Sequence, residues 1–443
     1  MAQASFVWNE SSQGSSKQVN MSDSDPIGEE RREKYFIWKK NAPLLYDYIQ
    51  TTSLLWPSLT VQWFPDLEEI ADTEYQQHRL LLGSHSSGFS KCESLNLYGL
   101  KTLRKTAKLV DIASDYDPLK NEFIVKRNDW HDTKMSLIQK IPHRGDINRA
   151  RYMPQNPDLI ATVTNRGHLY VFDRTKKPNN YTEDEIDDSA DLSDIKLDFH
   201  QSEGWGLDWN RYKEGELASA SSDGTIALWD LTKFKKNTSD KKPAQTTATG
   251  LEFQKRKYKT SILQPMETAA AHDYGVNCLE YLYFHQNLIG TVGDDKKLKI
   301  FDSRARMSSV KEDQLSESPI NVVSFSRVNE FGCVIGTETG NISLHDLRHI
   351  EEPVRIVNQS HNGALTCASW NPERGSLLAT GSSDGTVKLW DWSCDPGDEL
   401  RFVHGGHMLG VNDIDWNLHD SRTLVSCSDD NSVQVWKPAS TIL

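Results

Sequence analysis

After residue 140 the chain repeats one phrase six times: a leading turn, a short strand ending in an aromatic residue, a tight polar turn, then an apolar close ending near Asp. The clearest copy runs from His361 through Trp370, Ser383-Asp384-Gly385 and Leu389-Trp390-Asp391. A second runs from His200 through Trp209, Ser222-Asp223-Gly224 and Leu228-Trp229-Asp230. His143 leads a more worn copy to Asn165-Arg166-Gly167 and Val171-Phe172-Asp173; His272 leads another to Asp294-Asp295 and Ile300-Phe301-Asp302. An eroded copy carries Thr339-Gly340-Asn341 and His345-Asp346-Leu347-Arg348, and the last runs from His407 to Asp429-Asp430-Asn431 and Val435-Trp436-Lys437. His272 and His361 stand 89 residues apart with two units between them, and His361 and His407 stand 46 apart. A repeat of this length is one supersecondary unit that buries its apolar face only against a neighbour of the same kind.

Four short antiparallel strands fill such a unit, and copies of it close into a propeller. Asp-Gly or its near equivalent between alternating apolar stretches supplies the positive φ of a hairpin turn. The leading His, the turn Asp and the strand Trp read as a hydrogen-bonded set inside each blade, structural rather than catalytic. Six copies leave a ring incomplete. Leu59 to Trp63, Arg79 to Gly83 and Leu95 to Tyr98 read as strands of a seventh blade. The last strand, around Val433-Gln434-Val435, is expected to pair with N-terminal material, since an open ring would leave a pairing edge. The fold expected is all-β: a seven-bladed WD-repeat β-propeller with an N-terminal α-helix.

The expected division is a disordered polar tail over 1–28, a helix packing on the ring over 29–52, and the propeller over 53–440. Inserted loops are expected at about 104–136, 176–199 and 234–270. The stretch from Lys176 to Asp198 is acidic, with Glu183, Asp184, Glu185, Asp187, Asp188, Asp191 and Asp194. The stretch from Lys233 to Lys259 is basic, and reads either as a solvated excursion or as an import or nucleic-acid signal. No apolar run is long enough to span a bilayer, and the start lacks a basic segment followed by an apolar core. The six cysteines are scattered without metal-ligand spacing, so neither a metal nor a cofactor is expected. The formal net charge of −13 opposes direct binding to DNA phosphates and suits cationic partners, although acidity also serves solubility.

Before the first blade, Glu29 to Lys40 has good helix formers, and Asn41-Ala42-Pro43 interrupts them. Leu44, Leu45, Tyr48 and Ile49 follow at helical spacing, a stripe broader than one contact with the ring requires. Either the helix merely buries this stripe on the ring, or one face docks while the other helps to form a groove for a partner helix.

Tyr35-Phe36-Ile37-Trp38-Lys39-Lys40-Asn41, Leu45-Tyr46-Asp47 and the run from Trp56 to Trp63 resemble the opening of the MSI-type, retinoblastoma-binding histone chaperones. The run from Asn148 to Pro157 and Phe402-Val403-His404-Gly405-Gly406-His407 resemble further signatures of that family. The resemblance spans about Glu29 to Ala439, and the ending from Gly405 to Pro438 is most similar to the small subunit of chromatin assembly factor one in fungi.

The resemblance implies two binding surfaces. A side groove between the helix and the segment 395–402 would hold the first helix of histone four. Leu44, Leu45, Tyr48, Ile49, Leu400 and Phe402 would form its apolar walls, with Asp395, Asp398 and Glu399 facing histone Arg and Lys. The top of the wheel would receive the histone three tail or another basic peptide at His85, Asp146, Asn148, Glu203, Trp205, Asn277, Asn321 and Asp429. Asp146 and Glu203 would bracket a cation beside the Trp205 ring. Several carboxylates of the family pattern are replaced, by Leu55, Asn277 and Ala364-Leu365-Thr366. Polar satisfaction at the channel mouth is the alternative reading of that ring.

The function implied is a non-catalytic subunit that holds a histone three–four dimer for replication-coupled nucleosome assembly within chromatin assembly factor one. Its partners would be the histones and the larger subunits of that complex; its place is the nucleus, with the cytoplasm also open. A histone-binding subunit of the type B histone acetyltransferase or another chromatin-modifying complex is the nearest alternative. A ubiquitin-ligase substrate receptor is an alternative of another class, on Phe301-Asp302-Ser303-Arg304 and His345-Asp346-Leu347-Arg348. No phosphate loop, nucleophile elbow or placed carboxylate pair argues for an enzyme.

Overall fold

The computed structural model describes residues 28–71, 75–90, 92–104, 116–117, 122–123, 135–181, 192–233 and 260–442. Seven sheets of four or five strands form the ring, so the eroded copies and the early apolar strands are blades like the rest. The innermost strands are Val61–Glu69, Ile147–Met153, Gly204–Trp209, Val276–Tyr281, Ile320–Phe325, Leu365–Trp370 and Val411–Trp416, here blades 1 to 7. Each carries a buried aromatic at the same register: Trp63, Tyr152, Trp209, Tyr281, Phe325, Trp370 and Trp416. Three of these indoles also stitch neighbouring blades. The Nε1–H groups of Trp209, Trp370 and Trp416 donate to the carbonyls of Arg151, Ser324 and Ser369, at 2.9, 3.2 and 2.9 Å.

Inside each well-kept blade the polar set is a network of four. In blade 6, His361 Nε2 meets Thr380 Oγ1 at 2.8 Å, and Trp390 Nε1–H donates to the same oxygen at 2.9 Å. Asp384 lies 3.4 Å from His361 Nδ1. Burial alone would raise the Asp384 pKa, but hydrogen bonds from His361 and Thr386 outweigh it and hold the carboxyl far below its ordinary range. Blade 3 repeats this with His200, Ser219 and Trp229, and blade 7 with His407, Ser426 and Trp436. The hydroxyl at the centre has no sequence signature, because Ser and Thr in a strand carry no distinguishing pattern. Gly385 takes φ +76°, and a Cβ there would lie 2.7 Å from the Leu409 carbonyl, so the turn requires Gly twice over.

Closure runs as expected, but through a different boundary. Helix α1 spans Glu29–Leu45 and ends there; Tyr46–Ser53 is a strand. That strand pairs antiparallel with Ser432–Pro438, with Ile49 opposite Trp436 and Thr51 opposite Gln434. The expectation of a helix to residue 52 is therefore corrected. Pro43 falls in the last turn of α1, where the helix is about to end. Tyr48 and Ile49 then alternate across a strand rather than sharing a helix face. The tail expectation falls on residues of which only 28 is described.

Two inserted loops also end earlier than expected. Glu267–Ala270 is the outer strand of blade 3, and Ser261–Leu263 adds a fifth, parallel strand to blade 2 beside Ile195–Leu197. Within 104–136 a short hairpin pairs Tyr116–Asp117 with Glu122–Phe123.

Candidate functional site

Helix α1 lies over the junction of blades 6 and 7, and three contacts set its direction. At its start the Arg31 guanidinium donates to the carbonyls of Gly385 (2.6 Å) and His407. Midway, Trp38 packs edge-on against His404, and its Nε1–H donates to the Tyr46 hydroxyl at 2.8 Å. Just past its end, Tyr46 meets His404 Nδ1 at 2.7 Å and packs edge-on against Phe402 at 5.3 Å. The helix thus runs antiparallel to Leu400–His404, the outer strand of blade 6. Its Leu44 turn comes to the Leu400 end. His404 stacks flat on Trp436 at 4.4 Å, and burial, reinforced by nearby His407, pushes its pKa well down.

The buried side of α1 is Trp38, Ala42 and Leu45, packed with Phe402, Trp416 and Trp436. Phe36, Ile37 and Leu44 are left 65, 63 and 64% exposed. Ile37 and Leu44, seven residues apart, share one outward stripe. Leu400 and the carboxylates of Asp395 and Asp398 are exposed beside the strand's start.

The structure therefore keeps four expected groove residues accessible, Leu44, Leu400, Asp395 and Asp398, and removes five. Leu45 and Phe402 belong to the core beneath the helix. Ile49 joins that core from the closing strand, and Tyr48 points the other way, against Trp63 and Val433. Glu399 is only 5% exposed: it accepts from Arg355 Nη1 at 3.2 Å and from the Gly397 N–H at 2.9 Å. It clamps blade 6 to blade 5 and cannot face a partner. Ile37 and Phe36 escape sequence reasoning as surface residues because Tyr35-Phe36-Ile37-Trp38 is apolar throughout and does not announce which side faces in.

On the top face, four of the expected residues prove to be staples. Four residues before each inner-strand aromatic, a polar side chain reaches the next blade. Asn148, Asn277 and Asn321 donate from Nδ2 to the carbonyls of Gly204, Ile320 and Leu365, each at 3.1 Å. Thr366 and Asn412 do the same to Val411 (2.6 Å) and Ser58 (3.2 Å). Asp146 is buried and accepts from the N–H groups of Ser86 and Ser87 at 3.0 Å and from Asn165 Nδ2 at 2.6 Å. It is committed to holding a loop and does not bracket a cation. His85, Glu203 and Trp205 are half-buried, and Asp429 is exposed, steadied by Asn412 at 2.8 Å. Asp294, exposed and held by Asn277 at 2.7 Å, is a further top-face carboxylate that in sequence reads only as a turn residue.

Below this ring, the channel holds a cavity of about 150 Å³ lined by Arg149, Arg151, Arg211 and Arg327 against Asp208, Glu280, Asp413 and Asp415. The acids also staple: Asp208, Glu280 and Asp415 accept the main-chain N–H of Tyr281, Phe325 and Trp63, at 2.8, 3.0 and 2.8 Å. Burial, and then Asp208 beside it, lifts Glu280 to about 7; burial lifts Asp415 to about 6. Among the described residues no three His, Cys, Asp or Glu side chains converge on a metal position. Arg304 and Arg348, the arginines of the two Asp-x-Arg phrases, each fold back on their own Asp at 2.6 Å.

Known proteins resemble this chain along the same lines. A family model for the "Histone-binding protein RBBP4", or the equivalent component of the CAF1 complex, matches residues 33–104, which hold most of α1, the closing strand and the first three strands of blade 1. A model described as "WD domain, G-beta repeat" matches residues 190–230, 263–302, 352–391 and 398–437. The Saccharomyces cerevisiae protein named "Histone-binding protein MSI1" is 31% identical over 438 residues, which is 93% of this chain and 95% of that protein.

Proposed function

The chain belongs to the MSI1/RBBP4 family of histone-binding WD-repeat proteins, and on that premise we propose that it is a non-catalytic histone chaperone subunit. It grips a histone three–four dimer in the nucleus and hands it to replication-coupled nucleosome assembly as part of chromatin assembly factor one. The observation that carries this reading is the outward stripe of α1. Ile37 and Leu44 stay exposed on a helix whose other side is fixed by Arg31, Trp38 and Tyr46.

An amphipathic helix laid beside that stripe would bury apolar side chains on Ile37, Leu44 and Leu400. Its basic residues would meet Asp395 and Asp398. The first helix of histone four is the occupant proposed. On the top face, Glu203, Asp294 and Asp429 offer carboxylates and Trp205 an aromatic side to the basic tail of histone three. Fewer acids than the family pattern make that second grip the weaker one. The acidic surface competes with DNA phosphates for the histone's cations, which keeps the dimer from unproductive association until delivery.

The test is binding of a labelled histone-four first-helix peptide to wild type, Leu44→Asp and an Asp395→Lys/Asp398→Lys pair. Wild type should bind; each variant should weaken by about tenfold or more, roughly 1.4 kcal/mol, with an unchanged melting temperature. Equal binding by all three would move the grip away from α1.

A further inference from the structure

The end of the propeller opposite the Asn staples carries a surface that the histone reading leaves unused. Two residues past each inner-strand aromatic, the chain turns at the channel's lower mouth. The seven positions there are Pro65, Pro154, Arg211, Tyr283, Arg327, Pro372 and Leu418. None is a carboxylate, in a chain with 63 acidic and 50 basic residues. Arg211 and Arg327 also line the cavity, so both cations stand at its opening.

Apolar side chains flank them on consecutive blades. Tyr212, Phe284 and Val328 are 54, 41 and 61% exposed. They form a built ledge rather than scattered surface residues: Arg211 lies 4.6 Å over the Tyr283 ring, and the Tyr212 hydroxyl donates to the Tyr283 carbonyl at 2.8 Å. Val328 leans over blade 6, where a Cβ on Gly375 would strike it at 2.1 Å. Of the carboxylates on these loops, Glu216 is taken by Lys213 and Asn210, and Glu330 by His285, leaving Glu214 exposed.

We propose that this lower mouth docks an acidic segment of a partner protein that carries aromatic or aliphatic side chains between its carboxylates. Carboxylates of the segment pair with Arg211 and Arg327, where a guanidinium offers two parallel donors. Its apolar side chains cover Tyr212, Phe284 and Val328, and aromatic and Arg positions of this kind supply most of an interface's affinity. The charge is opposite to that of the proposed histone surfaces, so both ligands can be held at once by one wheel.

The experiment uses the full chain and a fluorescein-labelled peptide alternating Glu or Asp with Phe or Leu, at low salt. Two controls accompany it: the same peptide with Ser for Phe and Leu, and an oligothymidine strand. The expected result is saturable binding of the first peptide and a loss of about tenfold or more in Arg211→Glu/Arg327→Glu. Affinity for the histone dimer should not change in that variant. Phe284→Ser/Val328→Ser should weaken the peptide similarly, and decides the matter if the arginine variant does not fold. No binding by wild type, equal binding of the Ser control, stronger binding of the oligothymidine, or no loss in either variant would each overturn the proposal.

Discussion

At the scale of single residues, the same side-chain types do opposite work according to burial. Phe402 and Glu399 sit within four residues of Asp398, yet both are buried and Asp398 is not. Phe402→Ala removes a ring packed on Tyr46 and Trp436 and should cost about 3–5 kcal/mol in urea unfolding. Asp398→Lys should cost no more than about 0.5 kcal/mol. His404 gives a pH signature. Its pKa is depressed in the folded state, so its contribution is full above the ordinary His value of about 6.5 and fades as pH falls below it. The stability advantage of wild type over His404→Gln should therefore shrink between about pH 7.5 and pH 5. Glu280 and Asp415, raised groups that favour the folded state as pH falls, are common to both proteins and cancel in that difference. A constant advantage across the range would show that His404 is not held neutral.

At the scale of elements, the ring is closed by exchange: blade 7 takes three strands from the end of the chain and its fourth from Tyr46–Ser53. The matched repeats are offset from the blades in the same sense. Residues 398–437, for example, supply the outer strand of blade 6 and the inner three of blade 7. Each unit therefore clasps its neighbour, and the last lacks an outer strand of its own. Deleting residues 1–53 would bare the edge of Ser432–Pro438, and size-exclusion chromatography should show aggregates or oligomers in place of the wild-type peak. Elution like wild type would mean that closure does not depend on this strand.

The strands are legible in the sequence because Asp-Gly turns and leading His residues recur. The boundary between α1 and the closing strand is not. Leu44, Leu45, Tyr48 and Ile49 fit a helical spacing, and an alternating strand over Tyr46–Ser53 fits the same short run. Only the partner, Ser432–Pro438, decides between them, and it lies at the other end of the chain.

At the scale of the molecule, the wheel is sewn blade to blade by indoles, Asn amides and channel acids, which leaves its rim and faces to carry ligands. That division explains why the top-face residues are only partly readable. Asn148, Asn277 and Asn321 stand at the right places for a ligand, but the same places are where neighbouring blades need a donor. Sequence spacing cannot distinguish the two uses, whereas a carbonyl 3.1 Å away can. The central claim concerns the side of the wheel, and hydrogen exchange of the full chain with and without a histone three–four dimer tests it most directly. The account predicts that backbone amides of α1 and of 395–404 gain protection when the dimer is added. Protection confined to other parts of the wheel, with these two segments unchanged, would contradict it.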